Sequence, residues 1–570
     1  RSLTDSMNTA SHLAHYLRDY PPEFMLSANA KLWDYEPAKI EDLLSRLNTD
    51  NLRLVLSSKS YTDKCNLREK WYGTCYSDEA LDSQLRHAWD NAAGVSGLVV
   101  PQPNPFVPED LTLRPSQRQP HPDFPEPLDL NFQIGSLDAG RIATAYYRKD
   151  EQFGLPKATC SFQIYCPFTR ESVEQRTLAE LWCLAVKEEL NEFSYDAHVA
   201  GLGYSLNASV LGITLGVSGY NDKLPELLSA VAGKMARLVD IPKDTFDIVH
   251  RISERDLSNA ALRSSPYQQA FEFEGLVTTL PAHSLKERLD AVRSISSHTD
   301  LSGVGPKLLA NCHVECLLQG NLSTEEARGL VRSFLEPLAV SQPLDILPSR
   351  GIARMPPGWT QLNREGTNAE ERNGAVVVNL QVADENLRSR CLIDLVGQIL
   401  GQRFFDELRT KQQLGYIVSA SSYGERDCFV GFRMLVQSER PLQEVVSSIR
   451  CWLEDAFNLL EGGITPEEFN EYRNALTSKL RERAKSLGEE FGRNWTEVTS
   501  RGFSFNRREE LATQVEKLHL EDLREFTTKF LRVAPAICTV VAPAGSAQAS
   551  STGSSLNADR EWGPADVQDF

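Results

Sequence analysis

The sequence predicts an α+β fold with two repeated α/β-roll domains, each an antiparallel-rich sheet with helices on one face, preceded by the tail end of a third such unit. Strands that alternate apolar and polar residues lie beside long amphipathic helices, as expected of sheets packed under a helical layer. The same order of elements occurs twice, each time over about 200 residues, which indicates duplicated domains. Residues 37–59 read as the helix and strand that would close an earlier copy.

Composition and element order divide the chain into five parts. In order, they are the C-terminal part of a preceding domain (1–100), a Pro-rich linker (101–129), a third or middle domain (130–344), a fourth, C-terminal domain (345–543) and a disordered tail (544–570). Nine prolines between residues 101 and 127 favour an extended linker, because proline interrupts both helices and sheets. The tail is rich in Ala, Gly and Ser and then acidic, a composition that buries little apolar surface.

Hydrophobic periodicity places the elements of each part. The N-terminal part has helix patterns at 6–18 and 37–47 and a strand-like run at 52–59. The first copy contains strands at 159–166, 204–220 (a pair) and 313–319, and helices at 172–193, 223–238 and 244–263, with a further helix opened by a Ser323/Glu326 capping box. The second copy contains strands at 375–382, 416–437 (a pair) and 536–541, and helices at 386–414 and 442–460, with a further helix opened by Thr465, Pro466 and Glu468.

Composition excludes several classes of function. The 570-residue chain has a formal charge of -18, which disfavours a nucleic-acid partner. No apolar run reaches the roughly 18 residues that a membrane span requires, so no membrane partner is expected. Eleven cysteines, mostly inside apolar patterns, suggest free thiols in a reducing compartment and predict a cytoplasmic location, with a mitochondrion or peroxisome left open. The chain begins with Arg1, which favours a fragment or processed half.

The stretch 404–418 carries the main candidate site. Arg409 and Tyr416 lie seven residues apart, close to two helical turns, and Gly415 is a plausible left-handed residue at the end of the helix. A fixed cation and a phenol aimed at one point can bind a carbonyl and stabilise an oxyanion. The alternative is a structural one: Arg409 pairs with a neighbouring carboxylate, Asp406 or Glu407, and the tyrosine packs in the core.

The sequence of this stretch resembles that of a known family. Residues 408–416 read LRTKQQLGY and are similar to the LRTKEQLGY segment of the insulin-degrading-enzyme family of zinc metallopeptidases, which includes nardilysin and pitrilysin. Gln412 stands where the family often has glutamate. Other similar segments, in the family's order, are 71–74 and 104–108, which resemble the end of the second domain and its linker, and 188–195, 200–202 and 219–223, which resemble the third domain. The resemblance covers roughly residues 15–543 and implies that the domains are peptidase-like.

The resemblance also implies roles for three residues. Arg409 would bind the substrate backbone and Tyr416 would stabilise the oxyanion, because the matching residues of the family reach into the substrate chamber near the zinc. Phe405 resembles a position beside the cleaved bond, and an ordinary core phenylalanine is the alternative. None of the ten histidines lies in the family's His-x-x-Glu-His motif, and His12 and His15 lack the adjoining glutamate. No metal site or cofactor is therefore predicted in this chain, and zinc is expected in the N-terminal half.

Two other groups of residues are predicted to be structural. Cys312 and Cys316 share one face of a strand while His313 points away, which favours a core strand over a metal site. A basic cluster, whose members are Lys479, Arg481, Arg483 and Lys485, is similar in place to a polyanion-binding segment of some relatives. Because the paired lysines of those relatives are absent, we favour a solvated helix face.

Two functional hypotheses follow. In the first, the chain is the non-zinc half of an insulin-degrading-type metalloendopeptidase, inactive alone, which forms one bowl of a peptide-degrading chamber with the N-terminal half and with peptides as substrates. In the second, it is a non-catalytic scaffolding or binding subunit of the same fold, like the subunits of processing peptidases and respiratory core proteins. The intact Arg409/Tyr416 segment favours the first hypothesis. The sequence does not decide whether the chain forms a homo-oligomer.

Overall fold

The computed structural model describes residues 6–27, 31, 34–92, 102–115, 123–338, 340–546 and 567–569. The chain forms two compact units, one of residues 4–104 and one that begins at Pro105. The elements of the first unit are α1 (Ser6–Asp19), α2 (Pro37–Ser45), β1 (Leu67–Arg68), β2 (Cys75–Tyr76) and α3 (Ser83–Asp90). The strand predicted at 52–59 is wrong: this run has no regular structure up to a 3-10 turn at Lys59–Lys64, since no described strand of this unit pairs with it.

The second unit begins with a repeat built on one large sheet. Its elements are β3 (Glu126–Pro127), β4 (Gln133–Ile134), β5 (Leu137–Asp138), α4 (Ala139–Ile142), β6 (Ala143–Lys149), β7 (Lys157–Tyr165), α5 (Phe168–Glu171), α6 (Val173–Glu189), α7 (Asn191–Val199), β8 (Gly203–Ser209), β9 (Gly212–Tyr220), α8 (Leu224–Arg237), α9 (Lys243–Arg263), α10 (Pro266–Thr278), β10 (Thr279–Leu280), α11 (Leu285–Ser294), α12 (Val304–Ala310), β11 (Asn311–Gly320), α13 (Thr324–Leu335) and β12 (Gln342–Pro343). The sheet has the order β3-β6-β11-β7-β9-β8, with β12 beside β11.

The next repeat has the same plan. Its elements are β13 (Gly351–Ala353), β14 (Trp359–Glu365), β15 (Gly374–Asp384), α14 (Leu387–Phe405), β16 (Ile417–Glu425), β17 (Phe429–Ser438), α15 (Leu442–Asn458), α16 (Pro466–Arg481), α17 (Leu487–Thr499), α18 (Arg507–Glu516), α19 (Leu520–Phe526), β18 (Ala536–Ala542) and β19 (Val567–Asp569), with π-helical turns at Asp406–Lys411, Leu459–Gly463 and Thr527–Leu531. The sheet order is β14-β18-β15-β17-β16. Strand β6 runs parallel to β11 and β14 parallel to β18, while the central pairs are antiparallel. The predicted α+β class with antiparallel-rich sheets is confirmed.

Each of the two large sheets packs against helices of its own repeat on one face and against a helix of the other repeat on the opposite face. The two large apolar cores lie under the sheets' own helices. On the far face of the second sheet, Ala270 of α10 packs against Val377, Leu435 and Val541. On the far face of the first sheet, α17 contributes Phe491, which packs with Leu317. The exchange of helices explains why the repeats form one compact unit.

Buried ion pairs accompany both exchanged helices. Glu274 of α10 accepts a hydrogen bond from Asn379 and lies 3.4 Å from the Arg433 guanidinium. Glu490 of α17 accepts from Gln319 and lies 3.0 Å from Arg148. Burial raises the pKa of both glutamates, and the facing arginine opposes the rise in each. Buried charges require such partners, so these pairs fix how the helices dock.

Residues of the predicted linker and of the predicted tail pack within the second unit. The described linker residues 102–115 are irregular, as predicted, yet Phe106 is buried and meets Phe193 edge to face at 5.1 Å. Arg114 binds Asp110 and Glu326 at 2.7 and 2.9 Å. Most of the predicted disordered tail lies outside the described residues, and within it β19 pairs with β13. Among the described helices, none is both long and apolar enough to span a bilayer.

The helix exchange leads to a prediction about stability. Phe491→Ala removes the largest buried side chain that α17 contributes against the first sheet, and we expect the free energy of unfolding to fall by about 3–5 kcal/mol. Phe530→Ala is the control, because Phe530 is 45% exposed and its loss should therefore cost clearly less than that of the buried Phe491. Urea titration followed by tryptophan fluorescence measures both. Equal effects of the two substitutions would contradict the exchange as a source of stability.

Candidate functional site

The structure brings Phe405, Arg409 and Tyr416 together. The Arg409 guanidinium carbon lies 4.7 Å from the centre of the Phe405 ring and 4.6 Å from that of Tyr416. Tyr416 is 81% exposed, so it is not a core residue. Arg409 is not paired with its neighbouring carboxylates: Glu407 binds Lys411 at 2.8 Å, and Asp406 accepts from Gln402 at 2.8 Å. The structural alternative considered for Arg409 and Tyr416 is therefore wrong.

The buried face of α14 orients the two residues that come from the helix. Phe404 is fully buried and meets Trp452 of α15 edge to face at 4.7 Å, and Leu408 is also fully buried. Phe405 and Arg409 each follow one of these buried residues along the helix. They therefore point away from the core, where both remain half-exposed.

The end of this helix differs from the prediction. Helix α14 ends at Phe405, not at Leu414, and continues as a π-helical turn over Asp406–Lys411. The Gln412 N–H donates to the Glu407 carbonyl at 2.9 Å, five residues back. The left-handed residue is Gln413, with φ of 52°, and not Gly415. Arg409 and Tyr416 meet because the chain reverses between them, and not because they share a helical face.

Gly415 is needed for a different reason, which is space. A Cβ atom there would lie 1.8 Å from the Gln437 carbonyl oxygen of β17. The preceding residue, Leu414, is buried, and its carbonyl accepts a hydrogen bond from the Ser438 hydroxyl. Tyr416 is thus held against β17, immediately before β16 begins.

The first repeat contains another Leu-Gly-Tyr sequence where a helix leads into the first strand of the pair. There Leu202 follows α7, and Gly203 and Tyr204 already belong to β8, whereas Leu414-Gly415-Tyr416 lies before β16. Burial raises the pKa of Tyr204, a hydrogen bond with Ser194 opposes the rise, and the ring packs against the core. The Leu-Gly-Tyr sequence thus occurs in both repeats, and in the first repeat its tyrosine packs against the core.

The arrangement suits an acceptor such as a peptide carbonyl. Aromatic rings near a guanidinium attract its charge, here with Phe405 and Tyr416 both within cation–π distance. The donors of a guanidinium lie in its plane, where they can form hydrogen bonds to a carbonyl or carboxylate. The exposed Tyr416 hydroxyl adds a neutral donor. A charged and a neutral donor side by side can stabilise negative charge that develops on an oxygen.

The structure gives the other residues singled out in the sequence a structural role, either in the core or in ion pairs. Cys312 and Cys316 are buried on β11, where burial raises the pKa of Cys312 to about 12, and His313 approaches Thr144 at 3.2 Å. Within the described ranges, no group of three or more His, Cys, Asp or Glu side chains could hold a metal ion. In the basic cluster, Arg481 binds Glu509 at 2.8 Å and also pairs with Glu516, and Lys485 binds Glu482 at 2.8 Å.

Comparison with known proteins places the chain among peptidases. A family model described as the middle or third domain of peptidase M16 matches residues 1–291, and one described as the C-terminal lobe domain 4 of PQQ synthase PqqF-like proteins matches residues 395–495. Human insulin-degrading enzyme is 30% identical over 92% of this chain and 50% of its own length. Insulin-degrading enzyme-like 1, peroxisomal, of Arabidopsis thaliana is 26% identical over 92% of this chain and 53% of its own.

A solved structure supports the fold. The crystal structure of pitrilysin matches 94% of this chain and 55% of its own chain with a TM-score of 0.74, at 20% sequence identity. The chain spans about half the length of the curated relatives that it matches.

The glycines of the two Leu-Gly-Tyr sequences provide a test of the corner. Gly415→Ala should destabilise the fold by about 1–3 kcal/mol, because the new methyl group collides with the backbone of β17. Gly203→Ala should be neutral or slightly stabilising, since no atom lies within 4 Å of its Cβ position. Thermal melts of the two variants measure the difference. A Gly415→Ala protein as stable as Gly203→Ala would show that the corner is loosely held.

Proposed function

The chain belongs to the peptidase M16 family, and from this premise we propose that it is the zinc-free half of an insulin-degrading-type metalloendopeptidase. In this proposal the chain forms one bowl of a peptide-degrading chamber, which the upstream half completes. The observation that carries the proposal is the stacked Phe405, Arg409 and Tyr416 group in the segment that resembles the family's. The relatives matched over 92% of the chain bear the names of peptidases, so the comparisons do not favour the scaffolding alternative.

The three side chains would act on a peptide in a defined order. The Arg409 guanidinium would first bind the peptide backbone, with Phe405 holding its plane and lining the pocket beside the cleaved bond. The Tyr416 hydroxyl would then donate to the carbonyl oxygen as negative charge develops on it. Because that bond strengthens as the charge grows, it would favour the transition state over the bound substrate.

Zinc is expected on the upstream half. The described residues of this chain offer no cluster of three or more ligands, and its sequence lacks His-x-x-Glu-His, so the residues present do not fit the metal. We therefore assign no catalytic step of this chain to zinc. In the proposed enzyme, the two halves would supply different parts of the site.

The N-terminal unit supports an upstream partner. Large apolar side chains on its described residues are exposed, among them Leu47, Val55, Trp71 and Tyr72. None of the residues whose burial is described between 7 and 92 is buried. We propose that this unit is the C-terminal part of a preceding peptidase-like domain, and that the upstream half covers these side chains. A cytoplasmic location accords with eleven free cysteines, and one relative is named as peroxisomal.

Substitutions at the site test the proposal in an enzyme reconstituted from this chain and the zinc-bearing upstream half. Tyr416→Phe should lower kcat about a hundredfold with little change in KM, since it removes a donor used in the transition state. Tyr204→Phe is the matched control from the first repeat and should leave kcat unchanged. Arg409→Ala should raise KM and lower kcat together, because it also binds the ground state. Full turnover by a folded Tyr416→Phe enzyme would remove Tyr416 from the mechanism.

Metal analysis gives a second test that needs no partner. The chain alone, dialysed against buffer and measured by atomic emission, should retain far less than one zinc per molecule and should cleave no peptide. The expectation follows from the missing ligand set. One tightly bound zinc per chain, or zinc-dependent cleavage by the chain alone, would contradict the assignment of the metal to the upstream half.

A further inference from the structure

We infer that Ser438 is a positioning residue of the site: its hydroxyl holds the Leu414 carbonyl in place, and this contact keeps Tyr416 stacked on Arg409. Its effect on catalysis rests on the proposed function, whereas the stacking can be measured in the chain alone. The inference follows from the hydrogen bonds at the two backbone groups of Leu414, which connect the end of the helical segment to strand β17.

Ser438 is a buried hydroxyl with a fixed orientation at the end of β17. It is 1% exposed, and its backbone lies opposite Gly374 of β15, so the sheet fixes its position. Its oxygen accepts a hydrogen bond from the Arg440 N–H at 2.9 Å. A hydroxyl has one hydrogen to donate, and here that hydrogen goes to the Leu414 carbonyl. The hydroxyl thus connects the sheet to the segment that precedes the tyrosine of the site.

Leu414 is held at both of its backbone groups. Its N–H donates at 2.9 Å to the Leu408 carbonyl, which belongs to the peptide group directly before Arg409, and its own carbonyl accepts from Ser438. Both leucines are buried. Gln413 has φ of 52°, a conformation that is uncommon for a residue other than glycine and needs support from its surroundings. The two bonds at Leu414 therefore fix the reversal of the chain between the two stacked residues of the site.

The position of Tyr416 depends mainly on its backbone neighbours. The residue is 81% exposed, so packing around the ring contributes little to its position. On the C-terminal side its backbone is held by β16, which begins with Ile417 opposite Gln437. On the N-terminal side it is held by the bond between Leu414 and Ser438. Loss of the Ser438 hydroxyl removes the hydrogen bond on the N-terminal side and leaves a buried carbonyl without its donor.

Ser389 offers a matched control in the same repeat. It is also buried, accepts a hydrogen bond from the Asn386 N–H at 3.0 Å and donates to the Asp384 carbonyl at 2.8 Å. It lies in the first turn of α14, whereas the site lies at the other end of that helix. Ser389→Ala therefore removes the same chemical group from the same kind of partners, but away from Tyr416. We expect both alanine substitutions to lower the melting temperature by a few degrees.

The stacking is measured in the chain alone. A 3-fluorotyrosine placed at position 416 reports the environment of the ring by its ¹⁹F resonance, and Arg409→Ala defines the resonance of the unstacked ring. Ser438→Ala should move the resonance toward the Arg409→Ala position, and Ser389→Ala should leave it at the parent position. A resonance that Ser438→Ala leaves unchanged, or that Ser389→Ala moves as far, would overturn the inference.

Ser438→Cys keeps the test valid if the alanine variant fails to fold. The thiol is similar in size to the hydroxyl, so it fills the buried position, but it is a weak hydrogen-bond donor. We therefore expect Ser438→Cys to fold and to move the resonance in the same direction as Ser438→Ala. A Ser438→Cys resonance that coincides with that of the parent chain would contradict a role for the hydroxyl.

Kinetics of the reconstituted enzyme separate this inference from the proposed function. Ser438→Ala should lower kcat roughly tenfold with little change in KM, because a displaced donor loses part of its bond to the transition state. Ser389→Ala should leave kcat unchanged. Adding Ser438→Ala to Tyr416→Phe should cause no further loss, because both changes act on one interaction.

The outcomes of these kinetics are distinct. If Tyr416→Phe alone is silent, the proposed function fails, and the ¹⁹F resonance still decides whether Ser438 positions the ring. If Tyr416→Phe lowers kcat but Ser438→Ala leaves it intact, Ser438 is not a positioning residue of the site. If the two losses multiply, Ser438 does not act through Tyr416 and the inference is wrong.

Discussion

Each of the two large sheets has two faces to cover and only one layer of helices from its own repeat. The central strands are buried on both sides: β15 places Val376 and Val378 in one core and Val377 in the other. The far faces are covered by α10 and α17, each supplied by the other repeat. An apolar sheet face left in water is costly, so neither repeat is complete without its partner. The paired arrangement follows from this constraint.

Polar residues on the same far faces determine how α10 and α17 are oriented on the sheets. Glu274 meets Asn379 and Arg433 at one exchanged helix, and Glu490 meets Gln319 and Arg148 at the other. A carboxylate buried without partners would be strongly destabilising, which disfavours other ways of docking the helices. Apolar burial thus provides the association, while the ion pairs restrict its geometry. Both effects make the pair of repeats a rigid support for the exposed corner.

In the proposed function, that support would hold the side chains of the corner in place for a substrate. Tyr416 is mostly exposed and has little packing of its own, yet it follows a buried leucine and a glycine that touches the β17 backbone. Arg409 likewise follows a fully buried leucine. Side chains that bind a substrate need fixed positions as well as exposure, and neighbours packed in the core supply those positions. In the Leu-Gly-Tyr sequence of the first repeat, the tyrosine packs against the core instead.

The sequence by itself determined the fold class, the duplication and most elements, and it selected the three residues of the candidate site. Periodicity reports burial along one element, and the Leu-Arg-Thr-Lys segment carries the family resemblance. Only the tertiary structure decided the exchange of α10 and α17, because a pattern within one helix does not say which sheet it covers. It also decided how Arg409 meets Tyr416. A 3.6-residue period does not reveal the π-helical turn or the left-handed residue Gln413, since these depend on Leu408 and Leu414, which are buried in the core of the repeat.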